Sequence, residues 1–209
     1  MKRIAAIERN TKETEIFIRF NIDGNGSANL KYPIGFMSHM LNTFARHGLF
    51  DIEIHAKGDL ETDQRHLIED TGIVLGQCFA KALGEKRGIR RNGSCLFPMD
   101  ETLARAAADI SGRSFLYFDG QFSTPQKFNA YNFQTDAVED FWRAFVNGAG
   151  CNLHLEILRG RSDHHKIEAM FKAAARALRE ACEYDVRAKD SIPSTKGSLP
   201  GFDTPGVLV

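Results

Sequence analysis

S-D-H-H-K-I-E-A-M-F-K-A, residues 162–173, gathers His164, His165, Glu168 and Lys172 into less than four turns of an expected helix. His164 and Glu168 stand four residues apart and His165 and Glu168 three apart, so each pair shares a helix face, while the two neighbouring imidazoles diverge by about 100°. Adjacent histidines that point apart suit two different metal ions better than one. Taken alone, H-H-x-x-E is equally a solvated helix start that happens to carry histidines. A second copy upstream, R-H-L-I-E at 65–69, changes that balance.

The upstream copy opens a long periodic stretch, residues 64–84, whose apolar spacing runs to Leu83 and stops at Gly84; this predicts a helix that carries His66 and Glu69 on its first turns. Before it, E-I-F-I-R-F-N-I at 15–22 alternates apolar residues as a half-buried strand does, and D-G-N-G at 23–26 supplies a turn. I-G-F-M-S-H-M-L-N-T-F-A-R-H at 34–47 predicts a helix that contains His39 and ends at Gly48; F-D-I-E-I-H-A at 50–56 is a strand. The second half repeats this order. Glu101-Thr102 and Ile110-Ser111-Gly112 echo Glu13-Thr14 and Ile22-Asp23-Gly24 at an offset of 88, and His165 and Glu168 echo His66 and Glu69 at an offset of 99. L-H-L-E at 153–156, with His154, echoes I-H-A-K at 54–57, and residues 136–146 form a helix-like segment where the first half has its His39 helix. Offsets that stay constant over blocks and grow through one insertion indicate internal duplication. The expected fold is α+β: two related sheets with helices packed between or against them, a first repeat over 1–88, a second over 89–193, and a C-terminal loop and tail over 194–209. Pro, Gly and Ser gather after Ala188, and the last ten residues are expected to be mobile.

Composition narrows the function classes. The chain has 209 residues, enough for a core that needs neither disulfide nor metal to fold, and its 27 basic residues balance 27 acidic ones. Zero formal charge argues against coating nucleic acid or an anionic membrane. No run of 18 or more apolar residues occurs, and the four cysteines are scattered without a C-x-x-C pair, as expected of a cytoplasmic protein in a reducing compartment.

Two constellations carry chemistry. His66, Glu69, His164, His165 and Glu168, with His39 added, offer imidazole and carboxylate, a donor set suited to manganese, zinc or iron. His39 alone would read as a core histidine; the duplicated ligand sets suggest two metals. Arg91, Arg113, Lys172 and Lys196 stand beside glycines or hydroxyl residues in G-I-R-R-N-G, S-G-R, F-K-A and P-S-T-K-G, contexts in which cationic groups and loop N–H groups bind phosphate. Singly each is a solvated surface charge; together, near a metal site, they suggest a small phosphorylated substrate. No Walker loop, G-x-G-x-x-G or G-x-S-x-G is present.

The ordered motifs R-N-T-K-E-T, G-F-M-S-H-M-L, H-G-L-F-D, G-D-L-E-T-D, I-E-D-T-G-I, P-M-D-E-T-L-A, D-I-S-G-R, H-H-K-I-E-A-M-F-K-A and I-P-S-T-K-G span Arg9 to about Leu199. In them the chain resembles the imidazoleglycerol-phosphate dehydratases of histidine biosynthesis. The resemblance implies a duplicated fold like the second domain of ribosomal protein S5, a 24-subunit homo-oligomer built from trimers, and paired manganese ions bound between subunits. It implies the loss of water from imidazoleglycerol phosphate to give imidazoleacetol phosphate. Carried over by motif, the metal ligands are His39, His66, Glu69, His164, His165 and Glu168; Glu13 is the mobile acid/base; Arg91, Arg113, Lys172, Ser194 and Lys196 hold the phosphate.

The chain departs from the family pattern at Arg65, where D-x-H-H-x-x-E-D has its first histidine, and a guanidinium has no lone pair to give a cation. Asp140 stands where a histidine often precedes the two aromatics Phe141-Trp142, and a carboxylate there is still a possible ligand. Ser162 and Asn92 replace the usual Asn and Phe. Two readings follow: an active metal-dependent dehydratase, or a catalytically impaired relative with a structural or ligand-binding role.

Overall fold

The computed structural model describes residues 2–122, 133–189 and 191–199; the tail expected to be mobile, 200–209, lies outside them. The first half runs β1 (Ile4–Asn10), β2 (Thr14–Asn21), β3 (Ala28–Lys31), α1 (Gly35–Gly48), β4 (Asp51–Gly58), α2 (Arg65–Leu83). The second runs β5 (Asn92–Met99), β6 (Thr102–Asp109), β7 (Phe115–Asp119), α3 (Ala137–Ala149), β8 (Asn152–Arg159), α4 (Asp163–Cys182). Each half forms a four-stranded sheet of the same topology, β1-β2-β4-β3 and β5-β6-β8-β7, antiparallel except for the β3–β4 and β7–β8 pairs, which are parallel. The duplication expected from the offsets is therefore a duplication of fold.

Alternation explains the strands. Ile16, Ile18 and Phe20 on β2 and Ala104, Ala106 and Ala108 on β6 are buried beneath the helices, while their neighbours face outward. Between the sheets the four helices pair across the halves. Phe36 lies edge-on to His164 and His39 reaches Glu168, so α1 runs parallel to α4. Gly72 abuts Phe141 and Gly76 abuts Phe145, so α2 runs parallel to α3. Phe44, Phe141, Trp142, Phe145 and Phe171 lock the two pairs together, with Trp142 and Phe171 at 4.8 Å between ring centroids. Phe36 against Phe133 and the Gln134 N–H donated to Gln64 place the starts of all four helices at one end of the molecule.

The two glycines expected to stop helices behave differently. Gly84 adopts φ +62° just past α2 and caps it. Gly48 remains inside α1, and the left-handed cap is Leu49, φ 54°. Glycine is required at 48 by contact: a Cβ there would lie 2.3 Å from the Phe50 ring. The cysteines are unpaired thiols; burial pushes Cys78 and Cys151 up to about 12, so they act as small hydrophobes.

Candidate metal centre and active site

The start of α4 is built by Glu101, whose carboxylate accepts the backbone N–H groups of Arg161 (3.2 Å) and Ser162 (2.8 Å), and by the Ser162 hydroxyl, which accepts the N–H of His165. That start presents His164 toward α1. The Nε2 atoms of His164 and His39 stand 3.1 and 3.3 Å from the same Glu168 oxygen, and one ligand atom from each of the three residues falls within a 4.8 Å group. The other Glu168 oxygen accepts Lys172 Nζ at 2.8 Å. Burial works to raise the Glu168 carboxyl, but Lys172 and His39 outweigh it and hold it below its ordinary range. An ionised carboxylate and two imidazoles converging from two rigid helices fit a first-row divalent cation.

His165 and His66 turn away from this group. His165 Nδ1 stands 2.8 Å from Glu101, which His165 and the Ser162 N–H hold well below the usual carboxylate range. His66 Nδ1 stands 3.1 Å from Asp59, whose hydrogen bond raises the imidazole, and 4.0 Å from Glu13. Glu13 and Glu101 are therefore equivalent in the two repeats. Thr14 donates to the buried Asp70 carboxylate, which also pairs with Arg9, and this anchor sets Glu13 beside the start of α2. Glu69 is exposed, over a cleft shared with Asp140 and Arg143. Arg65 Nη2 lies 2.5 Å from Asp136 and Nη1 lies 3.3 Å from Asp140. The second contact is one of charge without hydrogen-bond alignment, since that Asp140 oxygen has no aligned donor.

The expected phosphate-binding residues split into two groups. Lys172 lies by the metal-ligand group, its Nζ 3.6 Å from Met99 Sδ at the end of β5. Arg91 precedes the opposite end of that eight-residue strand, roughly 25 Å away. Its guanidinium grips Asp109 through two bonds (2.7 and 3.1 Å) and the Pro193 carbonyl (2.9 Å), which ties down the loop of Ser194 and Lys196. Ser194 Oγ accepts the Lys196 N–H, and Arg113 is exposed four residues beyond Asp109. Asp59, Asp136 and Asp109 were not singled out from sequence, while Glu101 was legible only as the repeat of Glu13.

Residues 33–178 match the family model for imidazoleglycerol-phosphate dehydratase. The chain belongs to that family. It is 51% identical over 197 residues to the imidazoleglycerol-phosphate dehydratase of Psychrobacter sp. (strain PRwf-1), covering 94% of this chain and 93% of that one. With the enzyme of Caldanaerobacter subterraneus subsp. tengcongensis it shares 52% over 197 residues, 94% and 100% of the two chains. The crystal structure of the dehydratase from Staphylococcus aureus subsp. aureus N315 superposes with a TM-score of 0.77 at 36% identity, over 87% of this chain and 99% of that one. The Pyrococcus furiosus enzyme, solved in complex with (S)-C348, gives 0.75 at 31% identity, over 92% and 100%. Membership of the imidazoleglycerol-phosphate dehydratase family makes the chain a hydro-lyase.

Proposed function

We propose that the protein removes water from imidazoleglycerol phosphate to give imidazoleacetol phosphate in histidine biosynthesis, with a divalent cation, manganese, held by His39, His164 and Glu168. The observation that carries the metal dependence is the convergence of those three side chains on one point. The proton to be lost sits on a carbon with no adjacent carbonyl, too weak an acid for an unaided carboxylate. When bound, the cation supplies Lewis acidity toward the substrate's imidazole ring. Glu13, exposed at the β1–β2 turn beside His66, is the group that moves the proton. Lys172 sets the charge of Glu168 and offers a cation at the rim, while Arg113, Ser194 and Lys196 hold the phosphate, with Arg91 fixing their loop and reaching the anion beside them.

Lys172 and the Arg91 group lie too far apart in one chain to grip one small substrate, and His66 and His165 stand outside the group of His39, His164 and Glu168. Both facts support a site completed by a second copy, and so a closed homo-oligomer such as the family's 24-subunit assembly. We place the activity in the cytoplasm: the unpaired cysteines suit a reducing compartment, and among the described residues no helix is long and apolar enough to cross a membrane. The Arg65–Asp136–Asp140 group favours a second reading, an impaired relative that binds ligand without turning it over. Turnover of imidazoleglycerol phosphate by the purified protein separates them: manganese-dependent dehydration supports the enzyme, and absence of turnover in the fully metallated protein supports the impaired relative.

A further inference from the structure

The internal two-fold relation assigns a counterpart to the metal-ligand group. α1 and α3 end in matching left-handed caps, Leu49 (φ 54°) and Gly150 (φ 60°), with matching bonds from Phe50 N to Ala45 O and from Cys151 N to Val146 O. That offset of 101 sets Asp140 in the place of His39, and the offset of 99 between α2 and α4 sets Arg65 in the place of His164 and Glu69 in that of Glu168. The helix pairs match as well, α1 beside α4 and α3 beside α2. The image of His39–His164–Glu168 is thus Asp140–Arg65–Glu69.

This image lacks both imidazoles and contains a permanent cation. Arg65 is seated by Asp136, just before α3, and by Asp140 in its first turn, and neighbouring Arg143 is engaged by Glu139 at 2.5 Å. The two departures that face each other across the α2–α3 seam form one ion pair, so Asp140 is the counter-ion of Arg65 and is not a substitute metal ligand. A guanidinium offers no lone pair, stays protonated at any working pH, and repels a divalent ion from the carboxylates it neutralises. We infer that the protein carries a metal cradle between α1 and α4 and, at its internal image between α3 and α2, an arginine in the cation's place: Arg65 supplies the fixed positive charge there and keeps a second divalent ion out. This inference rests on the reading of His39, His164 and Glu168 as the cradle.

The test is the manganese content of the metal-stripped full-length protein after titration and desalting, measured by elemental analysis. One equivalent per chain is expected in the parent, none in His39→Ala, and two in Arg65→His/Asp140→His. Two equivalents in the parent, or only one in the double variant, overturn the inference and leave the cradle standing. None in the parent but one in the double variant overturns the cradle and supports the blocked image; none in either overturns both. If the double variant does not fold, Glu69→Gln decides: retention of the full equivalent supports an empty image site, and its loss overturns the inference.

Discussion

Replacing Gly76 by alanine should loosen the seam between α2 and α3 that holds Arg65 against Asp140. A Cβ at 76 would lie 2.2 Å from the Phe145 carbonyl oxygen and 2.9 Å from the Ala149 nitrogen, both backbone atoms of α3 that no rotamer change relieves. Restoring ordinary contact needs roughly 1 Å of separation between two packed helices. Overpacking of this kind costs about 1–3 kcal/mol, and backbone contact places it near the upper end. Alanine returns about 1 kcal/mol through helix propensity, which leaves a net loss of about 2 kcal/mol. For a chain of this size that corresponds to a fall of about 4–8 °C in the melting temperature followed by circular dichroism. Gly35→Ala is the control, since nothing lies within 4 Å of a Cβ there and the position opens α1; it should be neutral or slightly stabilising. A Gly76→Ala protein that melts at or above the parent temperature would mean that the helices do not approach as described, because only the propensity gain would then remain.

Asp51→Asn should destabilise the protein by about 1 kcal/mol at pH 7, because the Asp51 carboxylate accepts the N–H groups of Asn25 and Ser27. Burial works to raise this carboxyl, yet those bonds outweigh it and hold it below 3.8, so its contribution is complete above that pH and fades below it as the folded group protonates. Urea melts of parent and variant should differ at pH 7 and converge in acid; a gap that widens in acid would reverse the assignment. Arg113→Ala and Lys196→Ala should each weaken binding of the phosphorylated substrate by about 1.5–3 kcal/mol, roughly ten- to a hundred-fold, with manganese content unchanged. Equal losses for a dephosphorylated analogue would remove the phosphate from that role. Arg91→Lys keeps the charge but loses the two-bond grip on Asp109 and the reach to Pro193, so amide exchange over residues 191–199 should accelerate and KM should rise. Unchanged exchange would free Arg91 from anchoring the loop.

The alternating Ile16, Ile18 and Phe20, the apolar periods of the helices and the paired offsets made the two-sheet duplicated fold legible, since each is a local pattern repeated at fixed spacing. Which helix packs on which was not legible. Periodicity shows that a face is apolar but not which partner covers it, and here each half's first helix lies on the other half's second. Gly48 misled for a related reason: a glycine beside a helix end signals either a left-handed residue or a close contact, and only the position of Phe50 decides. His39, His164 and Glu168 were named from motif, yet their convergence depends on the crossed helix pairing. The counter-charge of Arg65 comes from Asp136 and Asp140, far along the chain, and Arg91 proves to be committed to Asp109 and Pro193, long-range pairings that no local pattern records.

The most direct measurement is the rate of imidazoleglycerol phosphate dehydration by the purified full-length protein, stripped with chelator and titrated back with manganese, beside His164→Ala treated in the same way. Turnover should vanish on stripping, return with the ion in the parent, and stay at least about a hundred-fold lower in the variant, as loss of a metal ligand requires. Undiminished turnover in the stripped protein, or full recovery in His164→Ala, would contradict a dehydratase that works through the cradle of His39, His164 and Glu168.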